Sequence, residues 1–301
     1  MISIVLLDNS FPYEKKEPFL ETEILYYPPD MKVYIANCLL QSKTECRPYG
    51  DAIILDIQEM EAKPIRYAKK LLGMAGAVLL PETWREIGLL ISQQRFSLRR
   101  LIELIRFVSD GERVLKCIRH KLEQIGIKQP LIFYSYWMYV HAYVAARLKK
   151  KYPGSAFVTR CHGYDVYEER NSLQYIPMRS YILEQADRVF CISEDGAQYL
   201  REYYSFNPER ISVSRLGTTD KGVGNCPSRR QLVIVSCSWV VGVKRVKRIA
   251  DTLCKVKDMP IKWIHFGDGA LFDDLQAFVA SMPVNISVEL RGAVSNDVIL
   301  D

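Results

Sequence analysis

Short apolar runs that are rich in β-branched residues recur along the first two thirds of the chain. They are, in order, ISIVLL (2–7), KVYIA (32–36), AIILDI (52–57), LIFYSY (131–136), SAFVTRC (155–161), RVFCIS (188–193) and ISVSRL (211–216). Stretches of helical length separate many of them, for example Tyr139–Lys151 and Asp195–Tyr204. Near-continuous apolar strands that alternate with helices are typical of parallel sheets covered on both faces. The pattern therefore predicts an α/β fold with a mainly parallel sheet.

The alternation is interrupted at 217–231, where GTTDKGVGNCPSRRQ carries almost no large apolar side chain. A polar segment with glycines and proline is typical of a linker between domains. Strand and helix patterns resume at 232 and predict three strands with two helices. We therefore predict one α/β domain at 1–216, a linker at 217–231 and a second α/β domain at 232–301. Because doubly wound domains normally pair two such halves, we expect the second domain to be incomplete.

The composition is that of an ordinary globular protein. Of 301 residues, 49% are hydrophobic and 25% are charged, which excludes disordered and collagen-like classes. The chain starts without the basic segment of a secretory signal, and no apolar stretch has the length of a membrane-spanning helix. The eight cysteines include no CxxC pair, so we interpret them as reduced thiols of a cytoplasmic protein and expect no metal site.

Positive charge is concentrated in one segment. Residues 95–150 hold 12 Lys and Arg against 4 Asp and Glu, whereas the net charge of the whole chain is +6. Helical spacing in QQRFSLRRLIELIRFVSD places leucines on one face, Arg95 and Arg99 opposite, and Phe96 and Phe107 on an adjacent strip. Aromatic residues among arginines suit an anionic membrane surface, so we predict peripheral attachment to the inner membrane through these four residues. No nucleic-acid-binding motif accompanies them, and an ordinary solvated helix is the alternative.

The turn after the fifth predicted strand is the first candidate site. His162, Gly163 and Asp165 follow SAFVTRC, and open α/β sheets bind ligands at the carboxyl ends of their strands. A histidine there can hydrogen-bond a phosphate or a sugar hydroxyl near neutral pH. We predict His162 and Asp165 as catalytic residues, with a purely structural histidine as the alternative. Lys16 and Glu17, after the first strand, are a second candidate, and an exposed charged turn explains them equally well.

The second predicted domain has two further candidate turns. Lys244 and Arg245 follow the strand LVIVSCS, at the start of a helix predicted from about Lys244. Cations at a helix N-terminus oppose the helix dipole, which suggests that they bind an anionic ligand. HFGDG then places Gly267, Asp268 and Gly269 after the next strand, where glycines let a ligand approach the backbone. For Lys244 and Arg245 the alternative is a solvated basic turn. For Gly267, Asp268 and Gly269 it is an ordinary turn between a strand and a helix.

Two nucleotide-binding motifs are missing from the sequence. No GxGxxG follows the first strand, and GxxxxGK[ST] occurs nowhere. Their glycines make room for a dinucleotide or for the phosphates of a nucleoside triphosphate. The sequence therefore disfavours nicotinamide-dependent oxidoreductases and P-loop NTPases.

Seven segments occur in a recognisable order: FPYEKKEPFLETEI, TRCHGYDVYEER, YIPMRSYILEQADRVFCISEDGAQYL, ISVSRLG, VSCS…VKRV, HFGDG and RGAVSN. Together they resemble bacterial glycosyltransferases of family 4, which have the GT-B fold. The resemblance implies two Rossmann-like domains, the first for a lipid-linked saccharide acceptor at the inner membrane face and the second for a nucleotide-diphosphate sugar donor. It also implies a retaining hexosyltransferase of capsule, O-antigen or exopolysaccharide synthesis, without metal or other cofactor.

The same resemblance implies roles for the candidate residues. His162 is expected to contact the donor sugar or its phosphate. Lys244, with Arg245, is expected to bind the diphosphate, and the Gly267–Gly269 loop is expected to approach the nucleotide. Lys16 and Glu17 fall on the acceptor side.

Two features depart from the family pattern. The family usually has Ser-Arg-Leu where this chain has Ser238, Trp239 and Val240, so an apolar ring replaces a planar cation expected at the diphosphate. The family's Glu-(seven residues)-Glu element, which holds the sugar and the ribose, would lie beyond residue 301. We therefore keep an alternative prediction, an inactive or non-catalytic binding protein of the same family with little or no turnover as written.

Overall fold

The chain divides into two units, Met1–Thr218 and Thr219–Asp301. The computed structural model describes residues 2–14, 17–40, 42–43, 46–57, 72–128, 130–217, 220, 222, 232–294 and 298–299. Lys16 and most of the predicted linker at 217–231 lie outside the described residues.

A seven-stranded parallel sheet forms the centre of the first unit. Its strands are β1 (Ile2–Asp8), β2 (Met31–Asn37), β3 (Ile53–Leu55), β4 (Leu131–Ser135), β5 (Ala156–Cys161), β6 (Arg188–Cys191) and β7 (Ile211–Val213). The order is β3-β2-β1-β4-β5-β6-β7, with every neighbouring pair parallel. The direction of winding reverses between β1 and β4, and open α/β sheets bind ligands at such a switch point.

Helices connect and cover these strands. They are α1 (Pro18–Glu23), α2 (Pro81–Ser92), α3 (Leu98–Gln124), α4 (Val140–Lys151), α5 (Gly163–Val166), α6 (Arg179–Gln185) and α7 (Glu194–Tyr203). The longest, α3, is capped by Ser97, whose hydroxyl accepts a hydrogen bond from the Arg100 backbone N–H at 3.3 Å. A Cβ at Gly111 would lie 2.5 Å from a ring carbon of Tyr143, so this glycine lets α3 pack closely on α4. None of the described helices has the length and apolar character needed to cross a membrane.

The structure corrects part of the predicted membrane face. Phe107 is only 4% exposed, and its ring meets those of Tyr139 and Tyr143 edge-on, with centroids 5.0 and 5.8 Å away. Arg95 is half-buried and forms an ion pair with Glu168. The prediction that Phe107 and Arg95 face a membrane is therefore wrong, because both are used in internal packing. Phe96 and Arg99 are exposed as predicted.

The second unit repeats the alternating pattern on a smaller scale. Its elements are β8 (Leu232–Cys237), α8 (Lys247–Leu253), β9 (Ile261–Phe266), α9 (Phe272–Val279) and β10 (Ile286–Leu290). The described strands form a parallel sheet in the order β10-β9-β8, with Trp263 fully buried in its core. Helix α8 begins three residues later than predicted, because a 3₁₀ turn at Gly242–Lys244 and a left-handed Arg245 (φ 53°) precede it.

Candidate functional site

A cavity of about 250 Å³ lies at the carboxyl ends of β5 and β6 in the first unit. Its polar lining side chains include His162, Arg170, Ser193 and Asp195. An imidazole, a guanidinium, a hydroxyl and a carboxylate together offer the donors and acceptors that sugar hydroxyls and phosphates need. Within the described parts of the chain, no group of three His, Cys, Asp or Glu side chains could hold a metal ion.

His162 occupies the edge of this cavity where the sequence predicted it, directly after β5. Its side chain is buried, and its ring packs against Tyr136 and Trp137, with centroids 5.1 and 4.2 Å away. Neither ring nitrogen has a hydrogen-bond partner among the described residues. Burial, reinforced by the positive charge of Arg160, lowers the pKa of His162 to about 4. The imidazole is therefore neutral at pH 7, with one donor and one acceptor unused.

The Asp165 side chain is used in hydrogen bonds to the protein's own backbone. Its carboxylate is fully buried and accepts hydrogen bonds from the backbone N–H groups of His162 at 2.5 Å and Met138 at 2.8 Å. Burial raises the pKa of Asp165 to about 7, and these hydrogen bonds and the nearby Arg179 charge oppose the rise. The carboxylate thus ties the turn after β5 to the turn after β4. This geometry gives Asp165 a positioning role in place of the catalytic contact expected from the sequence.

Glu17 is also buried, so the exposed charged turn that was the alternative for this position is not what the structure shows. Its carboxylate accepts hydrogen bonds from the backbone N–H groups of Asn9, Ser10 and Phe11 at 2.8, 3.0 and 3.1 Å. The Trp137 indole N–H donates a fourth hydrogen bond to it. Consecutive backbone N–H groups after the first strand of such a sheet are a common anion site. Here the protein's own carboxylate accepts these hydrogen bonds.

Trp137 is a residue that the sequence interpretation missed. It lies two positions after β4, and its ring contacts those of His162 and Tyr164, the latter with a centroid distance of 5.3 Å. Its position in the chain held a usable signal, because an aromatic residue that closely follows a central strand falls at the ligand-binding edge of the sheet. Trp137 therefore joins the turns that follow β1, β4 and β5.

The predicted donor-side residues of the second unit come together at the carboxyl ends of β8 and β9. The Val240 backbone N–H donates to the Asp268 carbonyl oxygen at 2.9 Å, which holds the two turns side by side. Trp239, Lys244 and Arg245 are all exposed. The left-handed backbone of Arg245 costs about 1 kcal/mol for a residue other than glycine. Two cations and an aromatic ring are thus exposed in the turn that follows the carboxyl end of β8.

Gly267 and Gly269 are required by packing between these two turns. A Cβ at Gly267 would lie 1.9 Å from the Ser238 carbonyl oxygen, and one at Gly269 would lie 2.6 Å from the carbonyl oxygen of Val240. No side chain fits at either position without moving the backbone of the first turn. The glycines therefore have a structural cause that is independent of ligand approach.

Comparisons with known proteins agree on the fold. Residues 89–218 match the family model described as Glycosyltransferase Family 4. The curated proteins include no match to the chain. Among solved structures, the chain is similar to the apo form of the lipopolysaccharide outer core galactosyltransferase WaaB, with 14% identity and a TM-score of 0.58 over 100% of this chain and 70% of that chain. It is also similar to Anabaena Alr3699/HepE in complex with UDP and glucose, with 12% identity and a TM-score of 0.55 over 98% of this chain and 70% of that chain.

These likenesses agree with the two parallel α/β sheets. The chain therefore has the GT-B fold, and its residues 89–218 match the model of glycosyltransferase family 4.

Proposed function

We propose that the chain is a retaining hexosyltransferase that moves a sugar from a nucleotide-diphosphate sugar to a lipid-linked or saccharide acceptor. The observation that carries this proposal is the neutral, unpaired imidazole of His162 beside the cavity of a family 4 region. The structure of HepE with UDP-glucose supports a donor of this class. The synthesis of capsule, O-antigen or exopolysaccharide is the setting that we infer for the reaction.

In this proposal the exposed cations of the second unit bind the donor diphosphate. Negative charge grows on the diphosphate as its bond to the sugar breaks, so fixed cations stabilise the transition state more than the bound donor. Lys244 and Arg245 supply that charge, and the backbone at Gly267–Gly269 borders the nucleotide. His162 donates or accepts one hydrogen bond at the donor sugar or its phosphate, while Asp165 holds the His162 backbone.

A transfer assay tests this function. The chain is incubated with bacterial membranes and radiolabelled UDP-glucose, UDP-galactose, UDP-N-acetylglucosamine or GDP-mannose in turn. We expect label to enter lipid-linked or polymeric material from one of these donors, and Lys244→Ala to lower that rate at least tenfold. Absence of label from every donor would contradict the proposed transfer.

A non-catalytic binding role is the second candidate, and the exposed Trp239 favours it. The resemblance places an arginine at this position, where a guanidinium would contact the diphosphate. An indole cannot neutralise a phosphate. Tight binding of an acceptor saccharide together with nucleotide binding but no transfer would favour this alternative.

We also propose peripheral attachment to an anionic membrane through the surface of α2 and the start of α3. Exposed apolar side chains there include Trp84, Ile91, Phe96 and Leu98, the last of them 68% exposed. Trp84 and Ile91 are seven residues apart and therefore share one face of α2. The exposed Arg99 and the positive charge of 95–150 add attraction to acidic lipid head groups.

We expect the double substitution Trp84→Ser and Phe96→Ser to weaken binding to phosphatidylglycerol vesicles about tenfold or more, because each side chain loses roughly 1 kcal/mol of apolar burial. Vesicle sedimentation measures the bound fraction. Leu25→Ser is the matched control, since Leu25 is an exposed apolar residue of the same unit outside this surface. Equal binding of the double variant and wild type, or equal loss in the control, would contradict this surface.

A further inference from the structure

We propose that Glu17, acting through Trp137, is the positioning residue that fixes the imidazole of His162. This role rests on the proposed sugar transfer, in which His162 contacts the donor. It gives a function to a buried acidic residue and to an aromatic residue that neither the family match nor the structural likenesses assign.

The three residues follow the three central strands of the sheet. Glu17 closes the loop after β1, Trp137 lies just after β4, and His162 directly follows β5. Strand β4 pairs with β1 on one side and with β5 on the other, so the carboxyl ends of the three strands are neighbours. Trp137 therefore bridges the switch point of the sheet to the turn that carries His162.

The carboxylate of Glu17 is held firmly enough to serve as an anchor. Its side chain is buried and accepts four N–H hydrogen bonds, three from the backbone of residues 9–11 and one from the indole of Trp137. Glu17 itself has a left-handed backbone (φ 56°), which is uncommon for a residue other than glycine. Strain of this kind persists only where the surrounding contacts enforce one conformation, and it clusters at functional sites.

His162 depends on its aromatic neighbours because no hydrogen bond orients its ring. Both ring nitrogens lack partners among the described residues, and the Trp137 ring lies 4.2 Å away at 43°. The Trp137 ring makes the nearest ring contact to the imidazole, beside Tyr136 at 5.1 Å and the Asp165 carboxylate 4.0 Å from Nδ1. The bond to Glu17 holds the Trp137 indole and, through it, contributes to the direction of the two nitrogens. A reacting group displaced by about 1 Å can lose up to about 100-fold in rate, so this support matters for catalysis.

The chemistry requires a carboxylate at position 17. All four partners of Glu17 are N–H donors. A carboxamide offers one oxygen and an NH₂ group, and the NH₂ group would face donors in place of an acceptor. Glu17→Gln therefore weakens the anchor without touching His162 and without adding bulk.

Nuclear magnetic resonance of ring-labelled histidine tests the proposal directly. The chain has four histidines, so His162→Asn assigns the signal. The Trp137 ring current displaces the His162 ring signals in the wild type, and we expect Glu17→Gln to move them toward the position of an unstacked histidine. The other three histidine signals stay in place. Glu21→Gln is the matched control, because Glu21 lies on the adjacent α1 and pairs with Arg47 at 3.4 Å.

Glu17→Asp covers the case in which the glutamine variant does not fold. It keeps a carboxylate for the loop but shortens its reach by one methylene, so the His162 signals are expected to move in the same direction. Unchanged His162 signals in a folded Glu17 variant, or an equal shift in Glu21→Gln, would overturn the proposal.

Turnover on the same variants separates this proposal from the proposed function. We expect Glu17→Gln to lower kcat about 10- to 100-fold with the KM for the donor unchanged, because the nucleotide contacts remain intact. If the wild-type chain transfers no sugar but Glu17→Gln still shifts the His162 signals, the proposed function is contradicted and the positioning by Glu17 is supported. A shifted signal with unchanged kcat would overturn the role of that positioning in catalysis.

Discussion

Replacing Trp239 by arginine is expected to tighten UDP binding about 10- to 100-fold, since a hydrogen bond to a charged group contributes about 1.5–3 kcal/mol. Trp239 is 63% exposed, so the substitution does not disturb the core of the second unit. The new guanidinium would lie in the same turn after β8 as Lys244 and could bind a phosphate through two N–H groups. Titration calorimetry with UDP measures the affinity, and the radiolabel assay measures whether transfer rises by a similar factor.

A matched variant tests whether a positive charge added elsewhere in the second unit produces the same gain in UDP affinity. Val284→Arg adds the same cation at a fully exposed position of the second unit, between α9 and β10, and is expected to leave UDP affinity within about twofold of wild type. The gain from Trp239→Arg is expected to shrink in the Lys244→Ala background, because both cations act on one diphosphate. Equal affinities of Trp239→Arg and wild type would show that the indole position lies outside the donor site.

The strands were predictable because a parallel sheet covered on both faces leaves a strong local signal. Runs such as LIFYSY and RVFCIS are apolar on both faces, and they became β4 and β6 at the center and near one edge of the sheet. The turns after β5, β8 and β9 were placed correctly for the same reason, since the strand ends locate them. Local pattern therefore placed His162 and Lys244 after the carboxyl ends of strands, although it did not show which side chains surround them.

The buried face of α3 could not be predicted from residues 93–110 alone. The leucines of 93–110 begin at Leu98, which is exposed, and Leu101 is only partly buried, so the buried stripe starts at Leu104. Continued to residue 122, the spacing of Leu104, Phe107, Val108 and Ile118 assigns Phe107 to the buried face. A helix of 27 residues needs its whole length to define its buried side.

Glu17 and Trp137 show a different limit. They are 120 positions apart, and their hydrogen bond exists only because β1 and β4 are neighbours in the sheet. A charged residue in a loop looks solvated in sequence, since burial of a carboxylate depends on donors supplied by distant segments. Local pattern could place Glu17 and Trp137 at strand ends, but it could not reveal the hydrogen bond that joins them.

Acid is expected to destabilise the first unit through buried histidines, with His141 as the clearest case. His141 is fully buried on α4, and burial lowers its pKa to about 3, whereas the unfolded chain has a value near 6.5. Because the unfolded state binds the proton more readily, the stability that neutral His141 contributes is complete above pH 6.5 and is lost as pH falls toward 3. Between pH 7 and pH 4 this loss amounts to about 3 kcal/mol at 1.36 kcal/mol per pKa unit.

The effect of His141 has to be isolated by difference, because other buried groups titrate in the opposite sense. Asp165 has its pKa raised to about 7, so its stabilisation is present at low pH and is lost as pH rises through 7. Hydrogen exchange of the β1 and β4 amides measures the unfolding free energy of the first unit at each pH. We expect His141→Phe to lose about 3 kcal/mol less than wild type between pH 7 and pH 4, and His120→Gln, at an exposed position of α3, to follow wild type. Parallel curves for wild type and His141→Phe would mean that the folded and unfolded states bind this proton equally well, and would contradict the lowering of the His141 pKa by burial.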